Sequence, residues 1–338
     1  MSVVDFFSGC GGTSLGFRDA GLDIALGVDN DPHAAETFRR NFPEALFLEA
    51  DVRGLDETAL GSLLPDAPLL FSGCAPCQPF SRQNNARSPD DHRRGLLGEF
   101  TRMVLAHRPR YVVVENVPGM QSVADGQPLT RFVAALKSAG YESKVQVLKA
   151  LDYGVPQQRR RLVVVAALGR PPRLPEPTHG PGRLPVVTVA DVIAGLPALE
   201  AGEVDPDDPD HVASALSETN RRRIRATPEG GDRRDWPPGL ELDCHSRHGG
   251  HTDAYGRMSW DRPASGLTTR CVSYSNGRFG HPAQDRAISV REAACLQTFP
   301  RSFAFAGTMT ARAKQIGNAV PPLMARRIAE AALGRATP

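Results

Sequence analysis

Residues 2–12 read SVVDFFSGCGG, a short apolar run that leads into a glycine-rich turn. The run predicts a buried strand, and the turn lets backbone N–H groups approach a nucleotide-like ligand at the start of a helix. This turn alone is weak evidence, because it lacks the full dinucleotide-binding spacing and glycine-rich first turns occur in many α/β proteins. The strand and the turn together predict the first strand, turn and helix of an α/β domain.

The same alternation of strand and helix continues along the first half of the chain. Candidate strands cover residues 2–7, 23–28, 46–49, 68–72, 111–115, 145–149 and 162–166. Asp31-Pro32 predicts the N-cap and first turn of a helix ending near Asn41, and further helices are predicted over 96–106 and 129–139. This pattern is typical of an α/β fold with a doubly wound, mostly parallel sheet.

The length and composition are those of a large globular chain. Its 338 residues suggest about two structural units, and 41% hydrophobic with 23% charged residues is a globular balance. No apolar run approaches the roughly 18 residues of a membrane span, and no secretory signal is present, so we expect a cytoplasmic protein without a membrane partner. The six cysteines are too few and too irregularly spaced for a disulfide framework.

Charge is distributed unevenly along the chain. The first 75 residues carry 4 basic and 12 acidic side chains, and the remainder carries 36 basic and 26 acidic ones. A polyanion would therefore bind the second part. Of the basic residues 36 are Arg and 4 are Lys, which suits bidentate contacts to phosphate and guanine, although a GC-rich coding sequence produces the same bias.

The composition changes after Leu168. Residues 170–183 are dense in Pro and Gly, as at a domain boundary, and an acidic segment (205–210) and a Gly/His-rich loop follow. Between them lies a basic segment formed by Arg221, Arg222, Arg223, Arg225, Arg233 and Arg234. The fold of this second unit cannot be predicted from its pattern. Helical patterning returns near residue 286 and ends in the stretch 311–333.

Acidic side chains follow two of the predicted strands. Asp29 comes after the second strand and Asp51 after the third. The carboxyl ends of parallel strands form the binding crevice of an open α/β sheet, and a carboxylate there can bind ribose hydroxyls. Ordinary loop acids or helix caps are the alternative for either residue taken singly.

The sharpest local feature is the segment 72–81, SGCAPCQPFS, just after the fourth predicted strand. A cysteine in a tight, proline-flanked loop at a strand end has the rigid, exposed placement that a nucleophile requires. Cys74 and Cys77 also form a C-x-x-C pair, so a redox dithiol remains an alternative. A zinc site is another alternative, and it would recruit Cys244, His245, His248 and His251.

Two further motifs follow in chain order. Glu115-Asn116-Val117 ends the fifth predicted strand, at the same sheet edge as Cys77, where an acid among apolar neighbours can serve as a proton donor; a structural acid is the alternative. In the segment 157–161, QQRRR, strand alternation would turn Arg159 and Arg161 to one face, where they can serve a base and a phosphate. A solvated basic run is the alternative.

The ordered set of motifs resembles the DNA (cytosine-5)-methyltransferase family of prokaryotic restriction-modification type. The set comprises FSGCGG (7–12), PCQ (76–78), ENV (115–117), QQRRR (157–161), RAISVREAACLQTFP (286–300) and GNAVPP (317–322). Each motif alone is modest, but their order and spacing are highly specific. The resemblance covers nearly the whole chain except residues 170–285.

The resemblance implies a fold, a domain division and a methyl donor. It implies the S-adenosylmethionine-dependent methyltransferase fold, with S-adenosyl-L-methionine as cofactor and no metal. Residues 1–168 plus 311–338 would form the catalytic and cofactor-binding domain. Residues 169–310, which include the motif near 286–300, would form a smaller, irregular target-recognition domain that reads base edges.

The resemblance also implies catalytic roles. Cys77 is the nucleophile that adds to cytosine C6, and a protonated Glu115 acts at N3. Arg161 holds the base O2, and Arg159 lies nearer the phosphate. Because a cytosine inside a duplex cannot reach both Cys77 and the cofactor, the base must be flipped out.

By the same matching, Phe7 stacks on the adenine of the cofactor, Asp29 binds the ribose and Asp51 binds the adenine amino group. The remaining cofactor positions are Gly9, Gly11, Gly12, Asn30, Val52, Pro76, Leu97, Asn318 and Ala319. Ala75 and Gly98 depart from the commonest family pattern, but neither change removes a catalytic group.

The expected partner is double-stranded DNA, and a monomer is expected because one base is modified at a time. Whether a cognate restriction endonuclease acts separately, and which sequence is recognised, stay open. Three rival functions also stay open: methylation of tRNA, DNA binding without turnover, and a nucleotide-dependent thiol oxidoreductase using Cys74 and Cys77.

Overall fold

The strands predicted in the first half of the chain are all present in the computed structural model, which describes residues 1–75, 95–122, 127–242 and 253–335. Two short strands add to them. In chain order the strands are β1 (Ser2–Phe6), β2 (Asp23–Asp29), β3 (Leu46–Glu49), β4 (Leu69–Gly73), β5 (Tyr111–Asn116), β6 (Tyr141–Lys149), β7 (Gln157–Gln158), β8 (Arg160–Leu168) and β9 (Ala264–Ser265).

Seven of these strands form one sheet in the order β3-β2-β1-β4-β5-β8-β6. The pairs from β3 to β5 are parallel, whereas β8 runs antiparallel between β5 and β6. The prediction of an α/β fold with a mostly parallel sheet is confirmed. Because β8 is reversed, its first residues lie at the same edge as the carboxyl ends of the parallel strands.

The helices fall between the strands and at the end of the chain. They are α1 (Gly12–Asp19), α2 (Pro32–Asn41), α3 (Glu57–Gly61), α4 (Leu96–His107), α5 (Gln127–Ser138), α6 (Val189–Ile193), α7 (Glu218–Arg225), α8 (Val290–Leu296), α9 (Met309–Asn318) and α10 (Pro322–Ala332). The predicted cap of α2 is confirmed, since Asp31 accepts the backbone N–H groups of His33 and Ala34 at 3.1 and 3.2 Å. The helical pattern over 311–333 is split between α9 and α10.

The sheet is buried because its central strands are almost entirely apolar. Every residue of β1 and β5 is buried, as a strand covered on both faces requires. Phe6, Phe71 and Phe100 form one aromatic cluster, with ring centroids 5.2 and 5.4 Å from Phe6. The sheet therefore supplies a rigid platform for the loops that follow its strands.

The chain divides into two compact units. The first contains Met1–Tyr153, Arg160–Thr178 and Val320–Pro338, and the second contains Gly154–Arg159 and His179–Ala319. The assignment of catalytic and target-recognition roles to domains at 1–168 plus 311–338 and 169–310 stays a prediction. Within the described residues, no helix combines the length and apolar character needed to cross a bilayer.

The second unit uses arginine side chains as interior scaffolding. Arg257 donates five hydrogen bonds, at 2.6–3.0 Å, to four backbone carbonyls and one carboxylate. The fully buried Arg286 makes two hydrogen bonds of 2.7 Å to Glu292. A planar guanidinium with several donors suits such crossing points between irregular segments.

Candidate active site

The candidate site of the first unit lies at the edge where the parallel strands end. The glycine-rich turn follows β1, Asp29 ends β2, Asp51 follows β3, and Glu115 lies near the end of β5. Crossover connections of a parallel sheet bring such loops to one edge, which is the usual ligand edge of an open α/β fold.

The turn after β1 depends on its glycines. Gly11 has φ +94°, and a Cβ added there would lie 2.4 Å from a ring carbon of Phe42, so no other residue fits without displacing that ring. Gly9 has φ +53°, and a Cβ there would meet no atom within 4 Å. The turn is thus packed below Gly11 and open at Gly9, and Gly11 offers α1 no side-chain cap.

Asp29 joins this turn to the end of β2. One carboxylate oxygen accepts the Gly9 N–H at 2.9 Å, and the other accepts the Asp31 N–H at 2.9 Å. Burial raises the pKa of Asp29. A carboxylate offers about four acceptor positions, so these two bonds orient the group without exhausting it.

Asp51 is paired with its neighbour Arg53. The Asp51 carboxylate accepts the Arg53 backbone N–H at 3.0 Å and the Arg53 Nε–H at 2.9 Å, and an ion pair of 2.5 Å joins the other carboxylate oxygen to Nη2. Arg53 is exposed. The carboxylate predicted to take the adenine amino group therefore already carries a nitrogen donor as its partner.

Asp5, which the sequence pattern did not assign to the site, lies beneath the turn. It is fully buried in β1 and accepts the Ser14 Oγ–H of α1 at 2.6 Å. Burial raises its pKa to about 6. Ser72, its register partner on β4, is near enough to lower that pKa but is not aligned for a hydrogen bond. In the sequence, the feature that points to Asp5 is a single acidic residue within an otherwise apolar strand segment.

Strand β4 ends at Gly73, and the described residues that follow it end at Ala75, before the predicted nucleophile. Cys74 lies with its Sγ 3.5 Å from the Thr13 hydroxyl, and Pro76 and Cys77 lie outside the described residues. Burial, followed by the charge of Glu115, raises the pKa of the Cys74 thiol well above its usual range. A thiol held in its neutral form is a poor nucleophile, which counts against the thiol oxidoreductase.

Asn116, the second residue of the ENV motif, is a further site residue that sequence reasoning missed. Its Nδ2 donates to the Ala75 carbonyl at 2.9 Å, and its Oδ1 accepts the Val117 N–H at 2.9 Å. The end of β5 thereby fixes Ala75, which follows β4 and lies two residues before Cys77 in the sequence. In the sequence, the only feature that points to Asn116 is an amide residue at the end of an apolar strand segment.

Glu115 and Arg161 come together at this sheet edge. Arg161 Nε lies 2.6 Å from Glu115 Oε1, and the two side chains are 16% and 11% exposed. The antiparallel β5–β8 pairing brings about this contact, because Glu115 is opposite Val163 and Arg161 lies two residues before it. The contact is an ion pair and not an aligned hydrogen bond, because no donor among the described residues is aligned with Oε1.

Arg159 and the predicted C-terminal cofactor residues belong to the second unit. Arg159 is buried, and its guanidinium donates to the backbone carbonyls of Leu267 and Gly317. Asn318 is exposed at the end of α9, and Ala319 follows it. Strand β8 begins at Arg160, so the alternation expected to pair Arg159 with Arg161 does not extend to Arg159.

The other predicted positions differ in exposure. Asn30 is exposed and Val52 is buried, while Leu97, on α4, lies in the apolar core. The alternative zinc ligands Cys77, Cys244, His245, His248 and His251 lie outside the described residues. Within the described residues, no three His, Cys, Asp or Glu side chains are grouped to hold a metal ion.

Comparison with known proteins bears on this arrangement. The family model of the C-5 cytosine-specific DNA methylase matches residues 1–334. The type II methylase M.HgiDII of Herpetosiphon aurantiacus is 40% identical over 336 residues, which cover 97% of this chain and 94% of that protein. The type II methyltransferase M1.HphI of Haemophilus parahaemolyticus is 36% identical over 98% of this chain and 87% of that protein.

Two solved structures are similar to this chain over nearly its whole length. A DNA modification methyltransferase encoded within an E. coli prophage has a TM-score of 0.76 and 27% identity, with 99% of both chains covered. DNMT2 of Spodoptera frugiperda has a TM-score of 0.68 over 98% of this chain at 17% identity, which supports the fold alone. Together with the family match, these relatives favour DNA methylation over the rival functions. The chain belongs to the C-5 cytosine-specific DNA methylase family and is a DNA cytosine-5 methyltransferase of the type II restriction-modification kind.

Proposed function

We propose that the protein transfers a methyl group from S-adenosyl-L-methionine to C5 of a cytosine flipped out of a specific short sequence in duplex DNA, through a covalent bond between Cys77 and C6. The observation that carries this proposal is the Glu115–Arg161 pair, 2.6 Å apart at the strand-end edge. Asn116 of the same strand holds Ala75, two residues before Cys77.

The residues at this edge fit the cofactor. The open side of the turn at Gly9, the uncapped start of α1 and the carboxylates of Asp29 and Asp51 follow three neighbouring strands. Helix starts favour negative groups, and carboxylates at strand ends favour ribose hydroxyls and amino groups. Phe7, half-buried at the end of β1, would pack against the adenine. When bound, S-adenosyl-L-methionine supplies an electrophilic methyl group.

The chain's own residues then bind the cytosine and activate it for methylation. The Cys77 thiolate forms a bond to C6, and the electron pair displaced from the C5–C6 bond makes C5 nucleophilic. Glu115 donates a proton at N3, which relieves the negative charge on the ring, and Arg161 binds O2. After C5 is methylated, a water molecule takes the C5 proton, and the electrons of that C–H bond re-form the C5–C6 double bond as the Cys77–C6 bond breaks. The N3 proton returns to Glu115, so the aromatic ring, the thiolate and the carboxylic acid are all restored.

Substrate entry must rearrange the Glu115–Arg161 pair. The ion pair uses a carboxylate, whereas the proposed role of Glu115 uses a carboxylic acid that can donate. The two states are therefore alternatives, and a cytosine that offers O2 to Arg161 draws the guanidinium away from Glu115. Proton delivery becomes coupled to occupation of the base site.

The proposed substrate is duplex DNA, and the target base leaves the helix because no stacked cytosine can reach both Cys77 and a methyl donor. The exposed Arg221 and Arg222 on α7 supply phosphate contacts in the second unit. We also propose that the enzyme acts as a monomer and that a separate endonuclease recognises the same sequence, as in the restriction-modification systems of its relatives.

Bisulfite sequencing tests the reaction and its specificity together. The chain and its Cys77→Ser variant are expressed in a host that lacks DNA methylation. We expect methylated cytosines in one short sequence context with the wild type and none with Cys77→Ser, which should still bind DNA and S-adenosyl-L-methionine. Cys74→Ser is the matched control and should keep methylating, because the mechanism does not use its thiol. Normal turnover by Cys77→Ser would refute the nucleophile.

A further inference from the structure

Arg159 is one of the most completely buried arginines of the second unit, with 4% of its surface exposed. Its Nη1 donates to the Leu267 carbonyl at 3.1 Å and to the Gly317 carbonyl at 3.2 Å, and its Nη2 donates to the same Gly317 carbonyl at 3.1 Å. Both terminal nitrogens thus hold one backbone oxygen at the end of α9.

The backbone around Gly317 is held from a second side. Gln297 Nε2 donates to the Ile316 carbonyl at 3.0 Å and to the Ala319 carbonyl at 2.5 Å. A Cβ at Gly317 would lie 2.2 Å from the Thr268 carbonyl oxygen, so this turn packs directly against another backbone segment. The turn is therefore defined by buried hydrogen bonds and by close backbone contact.

The same cluster includes the residues just before Arg159. Gln157 Nε2 donates to the Leu296 carbonyl at 3.1 Å, and Gln157 Oε1 accepts the Leu267 N–H at 3.3 Å. Gln157 and Gln297 are also hydrogen-bonded to each other. Four separate parts of the chain, at 157–159, 267–268, 296–297 and 316–319, are consequently joined by two side-chain amides, one guanidinium and close backbone contact.

This environment differs from that of a phosphate ligand. An arginine that binds a nucleic-acid phosphate presents its planar donor fork to solvent, where the bidentate contact forms. The fork of Arg159 is instead buried and already donates to uncharged carbonyls. Hydrogen bonds from a charged group contribute more than neutral ones, so their loss would loosen the turn.

We propose that Arg159 is a positioning residue, which acts through the Gly317 carbonyl to fix the adjacent Asn318 for cofactor binding. This inference rests on the proposed function and on the cofactor-binding position that the family resemblance implies for Asn318. Because Arg161 lies only two residues further along, the QQRRR motif then serves both substrates, with Arg161 at the base and Arg159 at the cofactor turn.

The phosphate role and the positioning role make opposite predictions for Arg159→Lys and Arg159→Gln. A phosphate contact tolerates lysine, and its loss in Arg159→Gln would reduce the salt dependence of DNA affinity by about 0.9 in log–log slope. A positioning role needs the fork, so both variants should raise the Kd and KM for S-adenosyl-L-methionine about tenfold, with kcat and the salt slope unchanged.

The experiment measures cofactor binding by calorimetry and DNA binding at several salt concentrations for each variant. Arg160→Gln, at the exposed neighbour, removes the same charge without touching Gly317 and should leave cofactor affinity unchanged. Gln297→Glu is the second variant. It keeps the acceptor for Gln157 but loses the donors to Ile316 and Ala319, so it should weaken cofactor binding in the same way.

The outcomes separate this inference from the proposed function. If the wild type binds no S-adenosyl-L-methionine, the proposed function fails. If the wild type binds it and the Arg159 variants bind it equally well, the positioning role is overturned. Rescue by Arg159→Lys together with a reduced salt slope for Arg159→Gln would establish the phosphate contact instead. If the Arg159 variants do not fold, Gln297→Glu decides by the same criterion.

Discussion

Replacing Asp5 by asparagine should make the protein more stable at neutral pH. Asp5 is fully buried, and burial raises its pKa from 3.8 to about 6. A tenfold change in an ionisation constant corresponds to about 1.4 kcal/mol, so ionising Asp5 in the folded state costs about 3 kcal/mol of stability above pH 6. The amide of the Asp5→Asn variant would keep an acceptor for Ser14, which donates to Asp5 at 2.6 Å, and would carry no charge.

The sign of the pH dependence follows from the two pKa values. Below about pH 4 Asp5 is protonated in both states and contributes no difference. Between pH 4 and pH 6 the unfolded chain has lost the proton while the folded protein retains it, so the free energy of unfolding falls as pH rises. Above pH 6 both states are ionised and the loss is constant. Asparagine cannot ionise and has no such dependence.

Urea denaturation of both proteins between about pH 4.5 and about pH 7.5 measures this difference. The advantage of Asp5→Asn over the wild type should grow by about 2 kcal/mol across that range, because part of the total change already lies below pH 4.5. Asp23→Asn, at an 85% exposed aspartate of β2, controls for the removal of one carboxylate. Stability curves that stay parallel for wild type and Asp5→Asn would refute the buried-charge argument.

The remaining predictions concern ligand binding. Arg53→Gln should lower the Kd for S-adenosyl-L-methionine about threefold, because the exposed Arg53 guanidinium no longer competes for Asp51; unchanged calorimetric affinity would contradict this. Replacing Arg221 and Arg222 together by Gln should reduce the log–log salt slope of DNA binding by about 1.8. Arg234→Gln is its control, since Arg234 already pairs with Asp232 at 2.8 Å, and an equal loss there would contradict the assignment to α7.

Much of the fold follows from local pattern. All seven predicted strands of the main sheet form within a few residues of their expected bounds, because apolar strand segments bounded by turns are a short-range signal. The cap at Asp31 is equally local, since an aspartate before a first-turn proline needs no distant partner. The family follows from the order of the motifs, and its match over residues 1–334 confirms it.

The candidate site could be predicted only in part. The sequence predicts that Asp29 and Glu115 lie at one sheet edge, because acids that end parallel strands share an edge, and both lie there. Asp5 and Asn116 were missed, because their importance lies in the Ser14 hydroxyl and the Ala75 carbonyl that they contact. Neither partner is an adjacent residue, and no local period encodes them.

Residue type and spacing along the chain were enough to establish the α/β class, the strand positions and the reaction family. The role of each arginine, in contrast, depends on the folded chain. Reversal of β8 brings Arg161 to Glu115, while Arg159, two residues earlier, is buried on the Gly317 carbonyl. Residue type alone does not distinguish the role of one arginine from that of another. A buried guanidinium must find acceptors and an exposed one need not, so only tertiary contacts separate scaffold from binding site.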